Sequence, residues 1–294
     1  MSAPQHPDSF VDALRAELSR TNFAGREVSL AEGALVVLGT CALATRSGRP
    51  TDLLALGGIG ALGLVDDLLE PRQRRAGRAI SKGLRGHLGA LRQGRLTTGA
   101  AKALGIPALS LLAAAGAPAP RGGMLITTDA ALIAGCANLA NLLDLRPGRA
   151  LKTVLPPATL LAAAARSAGQ RTAGEGRAGE GERARSGAAL ALAAALPGAL
   201  ALPTDLREHG MLGDAGANVL GAAVGTAATR LLPAPARLGL LAGVVALTLA
   251  SEKVSFSAVI EQTPVLAAVD RLGRRPLPPP TGGTGETGTT GEER

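Results

Sequence analysis

The stretch Ala61–Arg75, ALGLVDDLLEPRQRR, places two adjacent carboxylates, Asp66 and Asp67, between an apolar run and a group of arginines. Carboxylates are costly inside a bilayer, so at the end of an apolar helix they most often mark a solvated boundary. The pattern predicts the end of a membrane helix. It also raises the question of whether the two acids do chemistry there.

The composition of the 294-residue chain is typical of a helical membrane protein. Apolar residues make up 46% of it, yet it has three Phe, no Trp or Tyr, and 40 Gly. A soluble core of this size normally contains aromatic residues, whereas small residues let helices pack closely in lipid. The net charge of +8 indicates a membrane surface and not nucleic acid, because aromatic side chains that could stack on bases are lacking. Cys41 and Cys136 lie in separate apolar runs, which indicates neither a disulfide framework nor a thiolate metal site.

Apolar segments alternate with short polar ones, and their lengths predict an all-α, polytopic membrane protein with about eight transmembrane helices. The arginine-rich residues 70–95 are expected in the cytoplasm by the positive-inside rule, and alternation then puts both termini there. The predicted spans are 31–46, 51–67, 98–117, 123–144, 150–166, 187–203, 211–230 and 236–251.

The chain is predicted to have one membrane domain with polar segments around it. Residues 1–30 form a cytoplasmic N-terminal segment without a signal peptide, because they lack an early apolar core. Residues 31–270 form the polytopic membrane domain, in which the Gly- and Ala-rich residues 166–186 predict a flexible insert. That insert would lie outside although it holds five arginines. Residues 271–294 have too little apolar surface to fold and are predicted to be a disordered cytoplasmic tail.

Two further spans carry polar side chains at the same predicted membrane side. In CANLANLLD, the residues Asn138, Asn141 and Asp144 follow one another at three-residue steps and so lie near one helix face. Such amides also commonly join helices to each other. In GDAGANVLG, Asp214 follows a glycine, where it could meet a ligand or cap its helix. Carboxylate and amide oxygens suit Mg²⁺, which completes its coordination with substrate phosphates.

In this order the motifs resemble those of the polyprenyl-phosphate N-acetylhexosamine-1-phosphate transferases, the superfamily that includes phospho-N-acetylmuramoyl-pentapeptide transferase. The family motifs are an Asp-Asp pair, Asn-x-x-Asn-x-x-Asp-Gly, and Gly-Asp-x-Gly. They match Asp66 and Asp67, residues 138–144, and residues 213–216. Near the start, Asn22 and Gly33 loosely match the N-terminal family motif, and the resemblance covers roughly residues 20–270.

Several departures indicate a divergent member. Leu145 stands where the family has a glycine, and Met211 stands where it often has an aromatic residue that can stack on uracil. The chain also lacks the histidine-rich loop of the muropeptide branch, and eight spans are fewer than the ten usual there. These departures mainly affect residues that would recognise the substrate, so the sequence does not identify the substrate.

The resemblance implies a phosphotransferase on the cytoplasmic face of the bacterial inner membrane, serving cell-wall glycan synthesis. Polyprenyl phosphate would attack the β-phosphate of a UDP-amino sugar, with Mg²⁺ as cofactor. Asp214 is the expected main metal ligand, and Asp66 and Asp67 would position or deprotonate the lipid phosphate, with Asp66 also touching the metal. The implied catalytic residues are Asp66, Asp67 and Asp144, and the implied substrate-binding residues are Asn138, Asn141, Lys82, Arg85, His87 and Met211.

Other functions stay open at this point. The basic residues Lys82, Arg85 and His87 could lie against anionic lipid headgroups instead of substrate phosphate. A catalytically silent paralogue that binds lipid or acts as a scaffold would explain Leu145 and Met211. A transporter is a weaker alternative, because the strong acids are not near mid-membrane. The expected partners are the lipid, the UDP-sugar and the membrane, and a homodimer is one expectation for the oligomeric state.

Overall fold

The computed structural model describes residues 10–75, 98–118, 122–175 and 178–276. Within these ranges the chain forms eleven α-helices and one two-stranded sheet. The helices are α1 Phe10–Leu18, α2 Ala31–Ala44, α3 Pro50–Arg75, α4 Thr98–Ala115, α5 Gly123–Leu143, α6 Arg149–Glu175, α7 Ala178–Leu206, α8 Gly213–Leu231, α9 Ala234–Ser251, α10 Phe256–Gln262 and α11 Pro264–Arg271. The strands are β1 Ser19–Thr21 and β2 Glu27–Ser29, and a 3-10 turn covers Thr45–Ser47.

The chain is mostly helical, as predicted, and each of the eight predicted spans coincides with one of the helices α2 to α9. Four of the described helices, namely α4, α5, most of α7 and α9, are long and apolar enough to cross a membrane. They are the helices expected of an all-α membrane protein. The count of eight spans stays a prediction.

Helix α8 is the centre of the bundle. It is buried on nearly all sides, and α2, α3, α5, α6 and α7 pack around it. Its glycines and alanines allow this, because the neighbouring backbones come very close. A Cβ at Gly221 would lie 2.3 Å from the carbonyl oxygen of Cys136, and a Cβ at Gly63 in α3 would lie 2.5 Å from that of Asp214. Small residues therefore set the spacing of the helices, as they do in other membrane bundles.

Buried ion pairs join the helices at the end of the bundle away from Asp66 and Asp67, which we name the far end. Arg230 near the end of α8 donates to Asp52 at the start of α3, at 2.9 Å, and to the carbonyl oxygen of Ala113, at 2.8 Å. Arg237 donates to both carboxylate oxygens of Asp129. Buried charges destabilise a fold unless they are paired. These pairs therefore help to specify which helices meet.

Helices α6 and α7 extend into the range predicted to be a flexible insert. Residues 166–175 continue α6 and residues 178–186 belong to α7, so only residues 176–177 of the insert lie outside the described part of the chain. Alanine, arginine, glutamate and glutamine favour helix, and both segments prolong helices that are anchored in the core. The low-complexity sequence is thus helical wherever the structure describes it.

The short helices α10 and α11 dock on the start of α6. Arg149 donates to the two carboxylate oxygens of Asp270 at 2.8 and 3.1 Å, and Lys152 donates to the Asp270 carbonyl oxygen at 2.7 Å. Burial acts to raise the pKa of Asp270, but the hydrogen bonds and charge of Arg149, together with Arg274, hold it below its ordinary value. The carboxylate is therefore ionised when it binds Arg149. Residues 277–294 of the predicted tail lie outside the described residues.

Gly221→Ala is expected to destabilise the bundle, because the added methyl group would overlap the Cys136 carbonyl group. Overpacking of this kind costs about 1–3 kcal/mol. Gly239→Ala in α9 is the matched control, since the described atoms leave 4 Å free around its added Cβ and alanine favours helix. Thermal unfolding in detergent measures both variants. Equal melting temperatures would contradict the close contact of α8 with α5.

Candidate active site

Asp67 joins the end of α3 to the start of α8. Its Oδ1 accepts a hydrogen bond from the backbone N–H of Asp214, and its Oδ2 accepts one from Ala215, both at 3.0 Å. The first N–H groups of a helix have no partner within that helix, and a negative charge is favourable there. Asp67 therefore caps α8 from another helix. Gly213, with φ +60°, admits this carboxylate, because a Cβ there would lie 2.8 Å from Asp67 Oδ2.

Lys102 of α4 lies between the carboxyl groups of Asp66 and Asp214. Its Nζ is 2.5 Å from Asp66 Oδ2 and also contacts Asp214 Oδ2. The two carboxyl groups therefore lie on either side of the same ammonium group. The Asp214 side chain thus contacts Lys102. It does not cap its own helix, which is the other role that the sequence allows. The capping group is the carboxylate of Asp67.

Lys102 is not among the site residues predicted from the sequence, although the sequence holds a signal for it. Lys102 is the only charged residue of α4, whose other residues are apolar or small. A lone ionisable residue inside a predicted membrane span is a functional signal in itself. What the sequence could not supply is its contact with acids from α3 and α8, which lie on either side of it in the chain.

Asp144 follows the last residue of α5 and lies half-buried at the same end of the bundle. Helices α5 and α8 pack antiparallel, with Gly221 against Cys136 and Gly225 against Ile133, so the end of α5 lies at the start of α8. The acids of all three sequence motifs therefore meet at one end of the bundle, which we name the site end.

The predicted substrate-binding residues are distributed unevenly around the site end. Asn141 and Met211 are half-buried, whereas Asn138 is exposed. Leu145, which stands where the family has a glycine, is also exposed. Its side chain is therefore not buried in the turn that follows Asp144. Lys82, Arg85 and His87 fall within residues 76–97 and so lie outside the described residues. Their predicted contacts with phosphate stay predictions.

A hairpin in the predicted N-terminal segment holds the loop that leads into the Gly-Asp motif. Strands β1 and β2 pair antiparallel, and Ser29 bridges in parallel to Gly210. In that loop Glu208 is buried with φ +57°, and it accepts hydrogen bonds from Asn22 Nδ2, at 2.5 Å, and from Arg26. A non-glycine residue in the left-handed region is strained and needs such support. The hairpin therefore positions the residues that precede Asp214.

An apolar cavity of about 360 Å³ lies between α5, α6, α8 and α9. Its lining includes Leu139 and Leu143 of α5, Leu161 of α6, Val224 of α8 and Val244 of α9. The α5 residues among these lie in the last turns before Asp144. The cavity therefore extends along the helix that carries one of the acids to the site end, and its chemistry suits a hydrocarbon chain.

The carboxylates at the site end suit Mg²⁺ only if substrate phosphates supply further ligands to the metal. In the described part of the chain, no group of three or more His, Cys, Asp or Glu side chains is arranged to hold a metal ion. Mg²⁺ is commonly held by one or two carboxylates and substrate phosphates, and Asp66 and Asp214 would supply the carboxylates. The ammonium group of Lys102 between them already shows that this position favours a positive charge.

Comparison with known proteins finds no family model, no curated protein and no solved structure that matches the chain.

Asp67→Ala is expected to free the first amides of α8, because both carboxylate oxygens cap them. Loss of a helix cap costs roughly 0.5–2 kcal/mol, so hydrogen exchange at residues 214–216 should accelerate by about 2- to 30-fold. Asp67→Asn keeps one acceptor oxygen and should fall between the variant and the parent. Asn138→Ala, at an exposed position, is the control that should leave this exchange unchanged. Unchanged exchange in Asp67→Ala would exclude the capping role.

Proposed function

We propose that this protein is a membrane glycosyl-1-phosphate transferase that moves an amino-sugar phosphate from a UDP-sugar to polyprenyl phosphate. We place it in the bacterial inner membrane with eight spans, the site end and both termini being cytoplasmic. Its role would be in the synthesis of cell-envelope glycans. The proposal joins the resemblance of the motifs to the geometry of the site end.

The observation that carries the proposal is the meeting of Asp66, Asp67 and Asp214. Asp67 is hydrogen-bonded to the backbone at Asp214, and Lys102 contacts both Asp66 and Asp214. Asp144, directly after α5, lies at the same end of the bundle. Four acids drawn to one end of a membrane bundle are costly without a function. This supports a site that handles a cation and phosphate groups.

In the proposed reaction, an oxygen of the lipid phosphate attacks the β-phosphorus of the UDP-sugar. The bond from that phosphorus to the oxygen of the α-phosphate breaks, and UMP leaves with the bonding electrons. Bound Mg²⁺ would neutralise the diphosphate and the charge that develops on UMP. Asp214 and Asp66 would hold the cation, and a site carboxylate would accept a proton from the lipid phosphate if it carries one.

The remaining residues would orient the two substrates. Asn141, Met211 and Asp144 would lie on the nucleotide side, and Asn138 would contact substrate from its exposed position. Lys82, Arg85 and His87 would meet phosphate. Asp67 would act on the lipid phosphate in addition to capping α8. Both carboxylate oxygens of Asp67 already accept hydrogen bonds from α8. The apolar cavity beside α5 would accept part of the polyprenyl chain.

A second candidate is a catalytically silent paralogue that binds lipid or acts as a scaffold. Two observations favour it. Lys102 already gives Asp66 and Asp214 a positive partner, and exposed Leu145 replaces the glycine of the family motif. In this alternative the acids stabilise the bundle and no product forms.

The deciding experiment is an assay with purified protein, radiolabelled UDP-N-acetylhexosamines, undecaprenyl phosphate and Mg²⁺. We expect a labelled lipid product that disappears when the metal is chelated. No product with any of the UDP-amino sugars would favour the silent paralogue.

Asp214→Asn should reduce turnover at least about 100-fold, because the amide keeps the size of the side chain but loses the charge that would hold the cation. Glu182→Gln is the matched control, since Glu182 pairs with Arg49 at the far end and should leave turnover unchanged. Initial rates with saturating substrates measure the effect. Full activity in Asp214→Asn would reject its role as metal ligand.

Cysteine labelling tests the orientation in the membrane. In a background without Cys41 and Cys136, Arg78→Cys should not react with an impermeant maleimide in intact cells, because the arginine-rich residues 70–95 are expected in the cytoplasm. Glu182→Cys at the far end should react. The reverse labelling pattern would show that the site end faces outward, away from cytoplasmic UDP-sugars.

A further inference from the structure

Lys102 occupies the position between the two carboxyl groups that would hold a cation. It reaches Asp66 of α3 and Asp214 of α8 from a third helix, and only 17% of its side chain is exposed. We propose that the Lys102 ammonium group competes with Mg²⁺ for this position, so that the metal binds well only together with a phosphate-bearing substrate. This inference rests on the proposed function and adds to it an order of binding.

The competition follows from distance and charge. The Lys102 Nζ lies 2.5 Å from Asp66 Oδ2, while Mg²⁺ bonds to oxygens at about 2.0–2.1 Å. Two positive groups cannot both lie that close to the same carboxylate oxygens without strong repulsion. A metal ion that binds Asp66 and Asp214 therefore requires Lys102 to move away from them.

Lys102 can leave the two carboxylates without a large cost only when another anion binds its ammonium group. Its four-carbon stem is flexible, and its ammonium group is a compact donor that suits phosphate. In a partly buried site, moving it off both carboxylates without a new partner would be unfavourable. A substrate diphosphate would supply that partner and a ligand for the metal at once. Metal and diphosphate should therefore bind cooperatively, each weakly without the other.

Metal affinity in the purified protein tests the inference without measuring turnover. Mn²⁺, followed by the loss of its free-ion EPR signal, is the probe. Lys102→Met, which keeps the length of the stem but removes the charge, should bind Mn²⁺ at least about tenfold more tightly than the parent, since a like charge beside the metal has gone. Lys102→Gln serves as a second neutral variant if Lys102→Met does not fold.

Two kinds of control accompany these variants. Lys102→Arg keeps a cation at the position and should bind Mn²⁺ as weakly as the parent. Lys152→Met removes one charge beside Asp270, away from Asp66 and Asp214, and should change nothing. Adding Asp214→Asn to Lys102→Met should abolish the gain, which would locate the metal at the site end.

Unchanged or weaker Mn²⁺ binding in the neutral Lys102 variants would overturn the inference. Tighter binding in these variants, with no lipid product from the parent protein, would support the competition and reject the proposed transferase. Lipid product from the parent, with no gain of metal affinity in the variants, would support the transferase and reject the competition. The measurements can therefore reject either proposal without rejecting the other.

Discussion

Helices α3 and α8 run antiparallel and are joined at both ends by charged groups, and the rest of the bundle depends on this pairing. At the site end, Asp67 of α3 caps α8, and at the far end Arg230 of α8 reaches Asp52 of α3. Next to the cap, Gly63 of α3 lets the two backbones come close together at Asp214 and Ala215. Since α8 is buried on nearly all sides, the helices around it take their positions from its length and its small residues.

The same contact that fixes the fold also assembles the candidate site. By capping α8, Asp67 brings Asp66, the residue before it in the chain, next to Asp214. Two carboxyl groups in such a place need a counter-charge, and Lys102 provides it from α4. The buried charges are thus neither purely structural nor purely functional. Their positions are set by packing, while their excess of negative charge makes the site receptive to a cation.

Segments outside the membrane bundle complete the site end. The β1–β2 hairpin supports the strained Glu208 just before the Gly-Asp motif, and α10 and α11 dock on the start of α6 through Arg149 and Asp270. Both segments add polar side chains to those that the long helices carry. The site end is therefore framed by folded peripheral segments.

The sequence by itself determined where the apolar parts of the eight helices α2 to α9 lie, because the length and polarity of each apolar run are local properties. It also identified Asp66, Asp67, Asp144 and Asp214 as a group. It also indicated a membrane protein, through glycine and alanine in place of aromatic residues. Only the tertiary structure decided that Asp67 caps α8, that Lys102 stands between two acids and that Asn22 supports Glu208. These contacts join residues far apart in the chain, and their energies depend on which helices become neighbours, which no local pattern records.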